Sequence, residues 1–337
     1  MKEIRVGIAG LGRLGKVHAE NLAFHIPGAR LTAACSIVSE ELSFARERLG
    51  AESVFSDYDE MLSRAELDAV VIVTSSPLHC EELKKALECG KHVFTEKPLG
   101  VNVEECKEAE KAVEAHPDRI FFLGFMRRFD PSYLYAKKKI SEGAIGRPYL
   151  VKATGIDPES AVEGAIRFAP TSGGLYIDMA SHDIDLMRWF LGSEAREVYA
   201  LGANFKHPEF PKAGDVETGC ALYQFRNGAI GMLHVGRTAA HGYHIETEIV
   251  GTEGSIRISP TPAKNLALLY DKRGVVTECV EGFPERFREA YRNEMQEFIR
   301  CVRSGEQPEV SVYDGTRATE LSFATTKSFR EKRPVEL

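Results

Sequence analysis

The sequence contains no long apolar run, no excess of basic residues and no closely paired cysteines, and each absence excludes a class of function. No stretch approaches the ~18 apolar residues of a membrane-spanning helix. Residues 1–6 alternate charged and apolar side chains, which predicts a strand and not a secretory leader. The formal net charge is -7, so no basic excess is available to neutralise phosphates. We therefore expect neither a membrane nor a nucleic acid as partner.

Cysteine is present but scattered. The seven cysteines are an odd number and include no CxxC motif. This spacing is typical of free thiols in a reducing compartment, and it favours neither a disulfide framework nor a thiolate metal site. We therefore expect a cytoplasmic protein whose cysteines act mostly as small apolar residues.

What is present is the pattern of an α/β protein. In residues 1–125 short apolar strands alternate with helical segments, which predicts a Rossmann-type, doubly wound parallel sheet. Strands dominate residues 126–337, and Asn227-Gly228 is a strong hairpin signal. This part is predicted to be an α+β domain with a large open, mostly antiparallel sheet, whose C-terminal helix can pack back on the first domain. The exposed face of an open sheet must be covered, and we expect a second copy of the chain to pack against it.

A glycine motif follows the first predicted strand and opens a helix. Gly10, Gly12 and Gly15 form GxGxxG, with Arg13 and Leu14 inside it. In this context the first glycine makes a tight turn, the second lets the backbone approach a pyrophosphate, and the third lets helix pack on strand. The motif predicts a dinucleotide at the helix N-terminus.

The end of the second predicted strand leaves the cofactor open between NAD and NADP. An NAD-binding chain is expected to carry Asp or Glu about 20 residues beyond the glycines. Here Ser36 and Ser39 stand in that region, and the first acid is Glu40. A serine can bond either a ribose hydroxyl or a 2′-phosphate, and the nearest cation along the chain is Arg13.

Polar residues also follow the fourth and fifth predicted strands, where they would lie beside a bound dinucleotide. Thr74, Ser75 and His79 follow the fourth strand, although His79 fits equally well as a structural residue at a helix start. The fifth strand delivers Glu96 and Lys97 directly before a proline. A lysine fixed at that turn can bond a substrate oxygen and stabilise alkoxide charge. The alternative is an ordinary exposed turn lysine.

We place the chemistry in residues 173–192, which are predicted to form one helix. Asp178 and His182 are four residues apart, so a carboxylate can orient an imidazole on one helical face. Two alternatives stay open here. The pair can be an incidental ion pair on a solvated face, or Asp178, His182 and Asp185 can bind a metal ion; our expectation is that the site contains none.

Taken together, these segments resemble the Gfo/Idh/MocA oxidoreductase family, and within it the inositol 2-dehydrogenases. The resemblance covers nearly the whole chain. Its anchors are GLGRLGKVH, GKHVFTEKPLG, LGFMRRFD, GGLYIDMASHDIDLMRWF and HGYHIETEIVGTEG.

The resemblance implies a site and an activity. It implies hydride transfer from a ring hydroxyl of a cyclitol, myo- or scyllo-inositol, to NAD or NADP, in a cytoplasmic homotetramer that takes part in inositol catabolism. Lys97, Asp178 and His182 match the family's catalytic residues, while either Lys97 or His182 is the formal base. Asp157 and Tyr243 match the family's substrate-contact positions, and Arg127 is a further candidate near the cleft. A scaffold role stays open as the alternative for each of the three. Rival interpretations are an aldose dehydrogenase or ketose reductase of the same family, or a non-catalytic dinucleotide sensor.

Overall fold

A computed structural model describes residues 3–170, 172–258 and 263–337. The chain divides into two compact units, which are described separately. The first unit contains the residues up to Phe129 together with Glu289–Thr319, and the second contains Asp130–Arg288 together with Glu320–Leu337. The domain limits expected above, 1–125 and 126–337, stay predictions.

The first unit is built on a six-stranded parallel sheet with the strand order β3-β2-β1-β4-β5-β6. This is the order of a doubly wound dinucleotide-binding sheet, so the predicted Rossmann architecture is confirmed. The strands are Ile4–Ala9 (β1), Ala29–Cys35 (β2), Ser53–Phe55 (β3), Ala69–Ile72 (β4), His92–Glu96 (β5) and Phe121–Gly124 (β6).

Helices connect these strands, as parallel pairing requires. Strand β4 and the last four residues of β1 are continuously apolar and buried, which is typical of a sheet covered on both faces. The connecting helices are Arg13–Phe24 (α1), Ser39–Leu49 (α2), Tyr58–Arg64 (α3), His79–Glu88 (α4) and Val103–Glu114 (α5).

The second unit contains a seven-stranded sheet with the order β12-β11-β7-β10-β9-β8-β15. Strands β7 and β10 run parallel and the other neighbours antiparallel, which confirms the expected large, mostly antiparallel sheet. Asn227-Gly228 forms the β9–β10 turn, with Gly228 at φ 85°. The strands are Pro148–Pro158 (β7), Ala195–Ala203 (β8), Thr218–Phe225 (β9), Ile230–Ala239 (β10), His244–Gly251 (β11), Ser255–Ile258 (β12) and Val335–Glu336 (β15), and a separate hairpin pairs Leu269–Asp271 (β13) with Gly274–Val276 (β14).

The single helix predicted for residues 173–192 is wrong in one respect, because the structure has two helices there. One is Leu175–Asp178 and the other is Ser181–Leu191. The cause is tertiary, since the first helix is held by Asp215 and Arg237, which lie far along the chain. The helices from residue 130 onward are Pro131–Ser141 (α6), Val162–Phe168 (α7), Leu175–Asp178 (α8), Ser181–Leu191 (α9), Glu209–Lys212 (α10), Phe283–Arg286 (α11), Arg288–Ser304 (α12) and Val312–Glu331 (α13).

None of the helices in the described ranges has the length and hydropathy that crossing a membrane requires.

Candidate active site

The glycine loop has the geometry that a dinucleotide phosphate needs. Gly10 has φ 87°, and a Cβ on Gly15 would lie 2.1 Å from the carbonyl oxygen of Gly10. Gly12 is exposed at the N-terminus of α1, and a Cβ built on it would meet nothing within 4 Å. The backbone N–H groups of the first turn are therefore open to an anion, so the residues present fit a pyrophosphate. Arg13 and Leu14 are the first two residues of α1.

Ser36 lies directly after β2 and contacts an acid that the sequence interpretation missed. Its Oγ donates to Oε2 of Glu41 at 2.5 Å and accepts from the backbone N–H of Val38 at 3.1 Å. Glu41 is half-buried in the first turn of α2, where the helix dipole favours negative charge. The acid expected after β2 is therefore present in space, five residues later in sequence than Ser36.

Thr74 and His79 tie the loop after β4 to its surroundings. The Thr74 hydroxyl donates to Glu82 at 2.5 Å, and burial raises the pKa of Glu82 to about 7. His79 is buried, with Nδ1 2.8 Å from the carbonyl oxygen of Pro98 and Nε2 3.0 Å from that of Thr74. Burial lowers its pKa. His79 therefore connects this loop to the turn that carries Lys97, while Ser75 stays exposed.

Lys97 lies at the carboxyl end of β5, and the Lys97–Pro98 peptide is cis. Its backbone N–H donates to Oε2 of Glu96 at 3.1 Å. The other carboxylate oxygen of Glu96 is 2.7 Å from Nε2 of His18, and Glu294 lies near the same imidazole. Sequence reasoning missed His18 and Glu294, because nothing local links them to the lysine. Arg127 follows β6 in a 3-10 turn and is buried.

The first unit thus brings most of its predicted residues to one edge. The glycine loop, Ser36, Thr74, Ser75 and the Glu96-Lys97 pair follow β1, β2, β4 and β5. Carboxyl ends of parallel strands share one edge, which is where open α/β sheets bind their ligands.

In the second unit, Asp157, Tyr243 and His182 lie near the end of β7. Register pairs His244 with Ile156, and Tyr243 and Asp157 are the next residues along the chain from that pair. Gly155 lies under α9, since a Cβ there would be 2.9 Å from the carboxylate of Asp183. Asp183 directly follows His182 in the first turn of that helix.

Asp178 is held by a buried arginine that sequence reasoning also missed. Arg237 on β10 is 2% exposed and lies 3.3 Å from Asp178 and 3.5 Å from Asp215. Asp215 also accepts the N–H of Leu175 at 2.8 Å and thereby caps α8. The signal available in sequence was an arginine near the end of a largely apolar strand.

The solvated-face interpretation does not hold for α9, because all of its residues are buried, His182 and Asp185 included. Within the described ranges, the group of three or more potential metal ligands that the structure brings within 4.8 Å is His18, Glu96 and Glu294. That group differs from the Asp178, His182 and Asp185 set considered above.

Comparison with known proteins decides the family. Residues 4–125 match the model described as "Oxidoreductase family, NAD-binding Rossmann fold", and residues 133–257 match the GFO/IDH/MocA C-terminal domain. The chain belongs to the GFO/IDH/MocA oxidoreductase family. The predicted enzyme class and the NAD cofactor are therefore confirmed.

Similar proteins in this family include two inositol dehydrogenases. The chain is 38% identical to scyllo-inositol 2-dehydrogenase (NAD(+)) of Bacillus subtilis (strain 168), covering 99% of this chain and 96% of the relative. It is 36% identical to myo-inositol 2-dehydrogenase of Thermotoga maritima, covering 99% and 98%. The crystal structure of scyllo-inositol dehydrogenase from Lactobacillus casei with bound NAD(H) and scyllo-inositol has a TM-score of 0.97 at 43% identity, covering 99% of each chain.

Proposed function

We propose that the protein is an NAD-dependent dehydrogenase that oxidises a ring hydroxyl of a cyclitol, myo- or scyllo-inositol, to the ketone. The observation that carries this proposal is the full-length similarity to enzymes named for these two substrates. The glycine loop supports it, because its open helix N-terminus fits the cofactor. In this proposal residues 1–125 bind the dinucleotide and residues 126–337 bind the cyclitol.

The proposed catalytic group is Lys97, Asp178 and His182. NAD, when bound, accepts the hydride from the reacting carbon. His182 takes the proton of the hydroxyl, Asp178 holds the charge of the imidazole, and Lys97 bonds the oxygen as alkoxide charge develops. Either Lys97 or His182 is the formal base. Arg127, Asp157 and Tyr243 are the proposed substrate contacts, and the burial of His182 supports a functional role over a solvated ion pair.

The first experiment follows reduction of NAD and NADP with myo-inositol, scyllo-inositol and glucose in parallel. We expect turnover with an inositol, and a fall of about 10²- to 10⁴-fold in Lys97→Met and in His182→Ala. NAD binding, measured by titration, should persist in both variants. Lys111→Met, an exposed lysine on α5, is the matched control.

Other outcomes would change the proposal. Turnover with glucose alone would move the substrate to an aldose, and tight NAD binding without any turnover would favour a sensor. Near-normal turnover in either variant would remove that residue from the catalytic group.

We propose that Ser36 and Glu41 together read the adenosine ribose. The Glu41 carboxylate can accept a ribose hydroxyl and would repel a 2′-phosphate. Ser36→Asp should strengthen the preference for NAD over NADP. Glu41→Gln should weaken it by about 10- to 100-fold, the value of a hydrogen bond to a charged group. The neighbouring Glu40→Gln is the control, and an unchanged cofactor ratio in Glu41→Gln would refute the assignment.

We also propose a homo-oligomer, a tetramer, formed through the open sheet. Tyr199, Leu222 and Met232 are paired across β8, β9 and β10 and are 36%, 52% and 41% exposed. Such an apolar row on one sheet face requires cover. Leu222→Asp should lower the molar mass measured by light scattering. Leu134→Asp, an exposed leucine on α6, should not; an unchanged mass in Leu222→Asp would exclude this face.

A cytoplasmic location completes the proposal. The seven cysteines all lie in the described ranges and form no disulfide there, which supports a reducing compartment. Fractionation of the producing cells, with detection of the intact chain, tests it.

A further inference from the structure

The strongest unexplained feature of the first unit is a buried group of two carboxyls and one imidazole. His18 on α1 and Glu294 on α12 are fully buried, and Glu96 at the end of β5 is 4% exposed. His18 Nε2 lies 2.7 Å from Glu96 and 3.9 Å from Glu294. The rings of Phe94 and Tyr291 pack edge-on against the imidazole, with centroids 5.3 Å and 5.6 Å away, and they close its apolar side. We call these three polar residues the imidazole cluster.

The imidazole cluster cannot ionise fully without leaving net negative charge in the protein interior. Two carboxylates and one imidazolium sum to one excess negative charge, which burial penalises heavily. Neither oxygen of Glu294 has a hydrogen-bond partner in the described part of the chain. Burial and then the neighbouring Glu96 carboxylate raise the pKa of Glu294 well above its usual range. Burial of the whole group therefore favours the protonated form of Glu294.

The distances fit a shared proton better than a metal ion. Zinc bound at about 2.0–2.2 Å by a nitrogen and an oxygen in tetrahedral geometry keeps those atoms roughly 3.4 Å apart. The 2.7 Å between His18 Nε2 and Glu96 is instead a charge-assisted hydrogen bond. The position of Glu294 at 3.9 Å leaves it as a second, neutral carboxyl beside that pair.

The imidazole cluster reaches Lys97 through the backbone. The Glu96 oxygen that does not face His18 accepts the N–H of Lys97 at 3.1 Å. The carboxyl group of Glu96 packs on Gly124 of the neighbouring strand, where a Cβ would lie only 2.9 Å from it. The charge and position of Glu96 thus set the direction in which the chain leaves β5 at Lys97.

We propose that His18, Glu96 and Glu294 form a buried proton-holding cluster that positions Lys97 for hydride transfer. This rests on the proposed function of Lys97. His18 pairs with an ionised Glu96, Glu96 holds the Lys97 amide, and a neutral Glu294 keeps the group from carrying a second negative charge. These are positioning residues, since none of them needs to touch substrate.

Two variants test the cluster. Glu96→Gln replaces the charged acceptor with an amide, so kcat should fall about 100-fold, the cost of a misplaced reacting group. KM for the cyclitol and the Kd for NAD should change little. Glu294→Gln resembles the neutral acid, so its loss of kcat should be much smaller. If Glu96→Gln changed the Kd for NAD and the KM for the cyclitol but left kcat unchanged, the proposal would be overturned.

A second measurement is independent of activity. The infrared difference spectrum of wild type minus Glu294→Gln, recorded near neutral pH, should show the carbonyl stretch of a protonated carboxyl. Wild type minus Glu114→Gln, an exposed glutamate on α5, should not show it. Absence of the band from the first spectrum overturns the cluster, and so does stoichiometric metal that Glu294→Gln removes.

The two proposals fail separately. Full activity in Lys97→Met would refute the catalytic role of the lysine, while the infrared band would still be observed. Absence of the infrared band would refute the proposed cluster, while the conclusion drawn from the activity of the Lys97 variants would stand.

Discussion

His18 in the first unit and Arg237 in the second each lie buried between two carboxylates, and the two groups solve the same electrostatic problem differently. Arg237 pairs with Asp178 and Asp215 at 3.3 Å and 3.5 Å. We call these three the guanidinium cluster. An arginine guanidinium stays protonated in proteins, so the positive charge in this cluster is fixed. The imidazole cluster is instead built on histidine, whose ring can be neutral or charged.

The two clusters differ in how far solvent reaches their carboxyl groups. The side chain of Asp178 is 24% exposed, so water shares its charge with Arg237. In the imidazole cluster the side chains of His18 and Glu294 are fully buried and that of Glu96 is 5% exposed. There the proposed proton on Glu294 would remove the excess charge. The degree of burial, more than the number of acids, therefore decides whether a buried triad carries charge.

The largest expected effect comes from removing Arg237, the cation of the guanidinium cluster. Arg237→Met leaves Asp178 and Asp215 without their cation and should lower the free energy of unfolding by about 3 kcal/mol, as for other broken buried pairs. It should also lower kcat, because Asp178 loses the contact that fixes it. Urea unfolding and steady-state kinetics measure both.

Arg237→Lys is the matched control, because it keeps the charge and should recover part of the stability. A wild-type stability for Arg237→Met would show that the guanidinium is not needed to balance its two acids.

A smaller effect is expected from replacing His18, the base of the imidazole cluster. In His18→Gln the amide can still donate to Glu96, so the loss of unfolding free energy should be about 1–2 kcal/mol, the value of one altered buried hydrogen bond. The exposed His25→Gln at the end of the same helix is the control and should stay within about 0.5 kcal/mol of wild type. A loss in His18→Gln as large as that in Arg237→Met would erase the distinction between the two clusters.

The sequence was sufficient to predict structural features that depend on residues close together along the chain. The alternation of strand and helix, and a glycine motif lying between β1 and α1, led directly to the parallel sheet and its ligand-binding edge. Lys97 could be found because Pro98 follows it at the end of a strand.

Both buried clusters were missed, for the same physical reason. His18 and Glu96 are 78 residues apart, and Arg237 and Asp178 are 59 apart. No periodicity encodes such pairs. The break between α8 and α9 was missed as well, because the two residues that hold the ends of α8, Asp215 and Arg237, lie 40 and 59 residues further along the chain. Glu41 was overlooked because the acid was sought at the end of β2 and not in the first turn of α2.

The pH dependence of stability distinguishes the clusters most finely. The pKa of Glu294 is raised in the folded state from its usual value of 4.5, so above that pH the unfolded chain releases a proton that the folded chain keeps. Wild type should therefore lose stability relative to Glu294→Gln as pH rises, by about 1.4 kcal/mol per pH unit until the folded pKa is passed. Urea unfolding of both proteins at pH 5, 6 and 7 measures this slope. Glu114→Gln should differ from wild type by a constant amount, because that side chain is exposed in the folded state. Parallel curves for wild type and Glu294→Gln would mean that Glu294 is ionised when folded, so that the two clusters carry their charge alike.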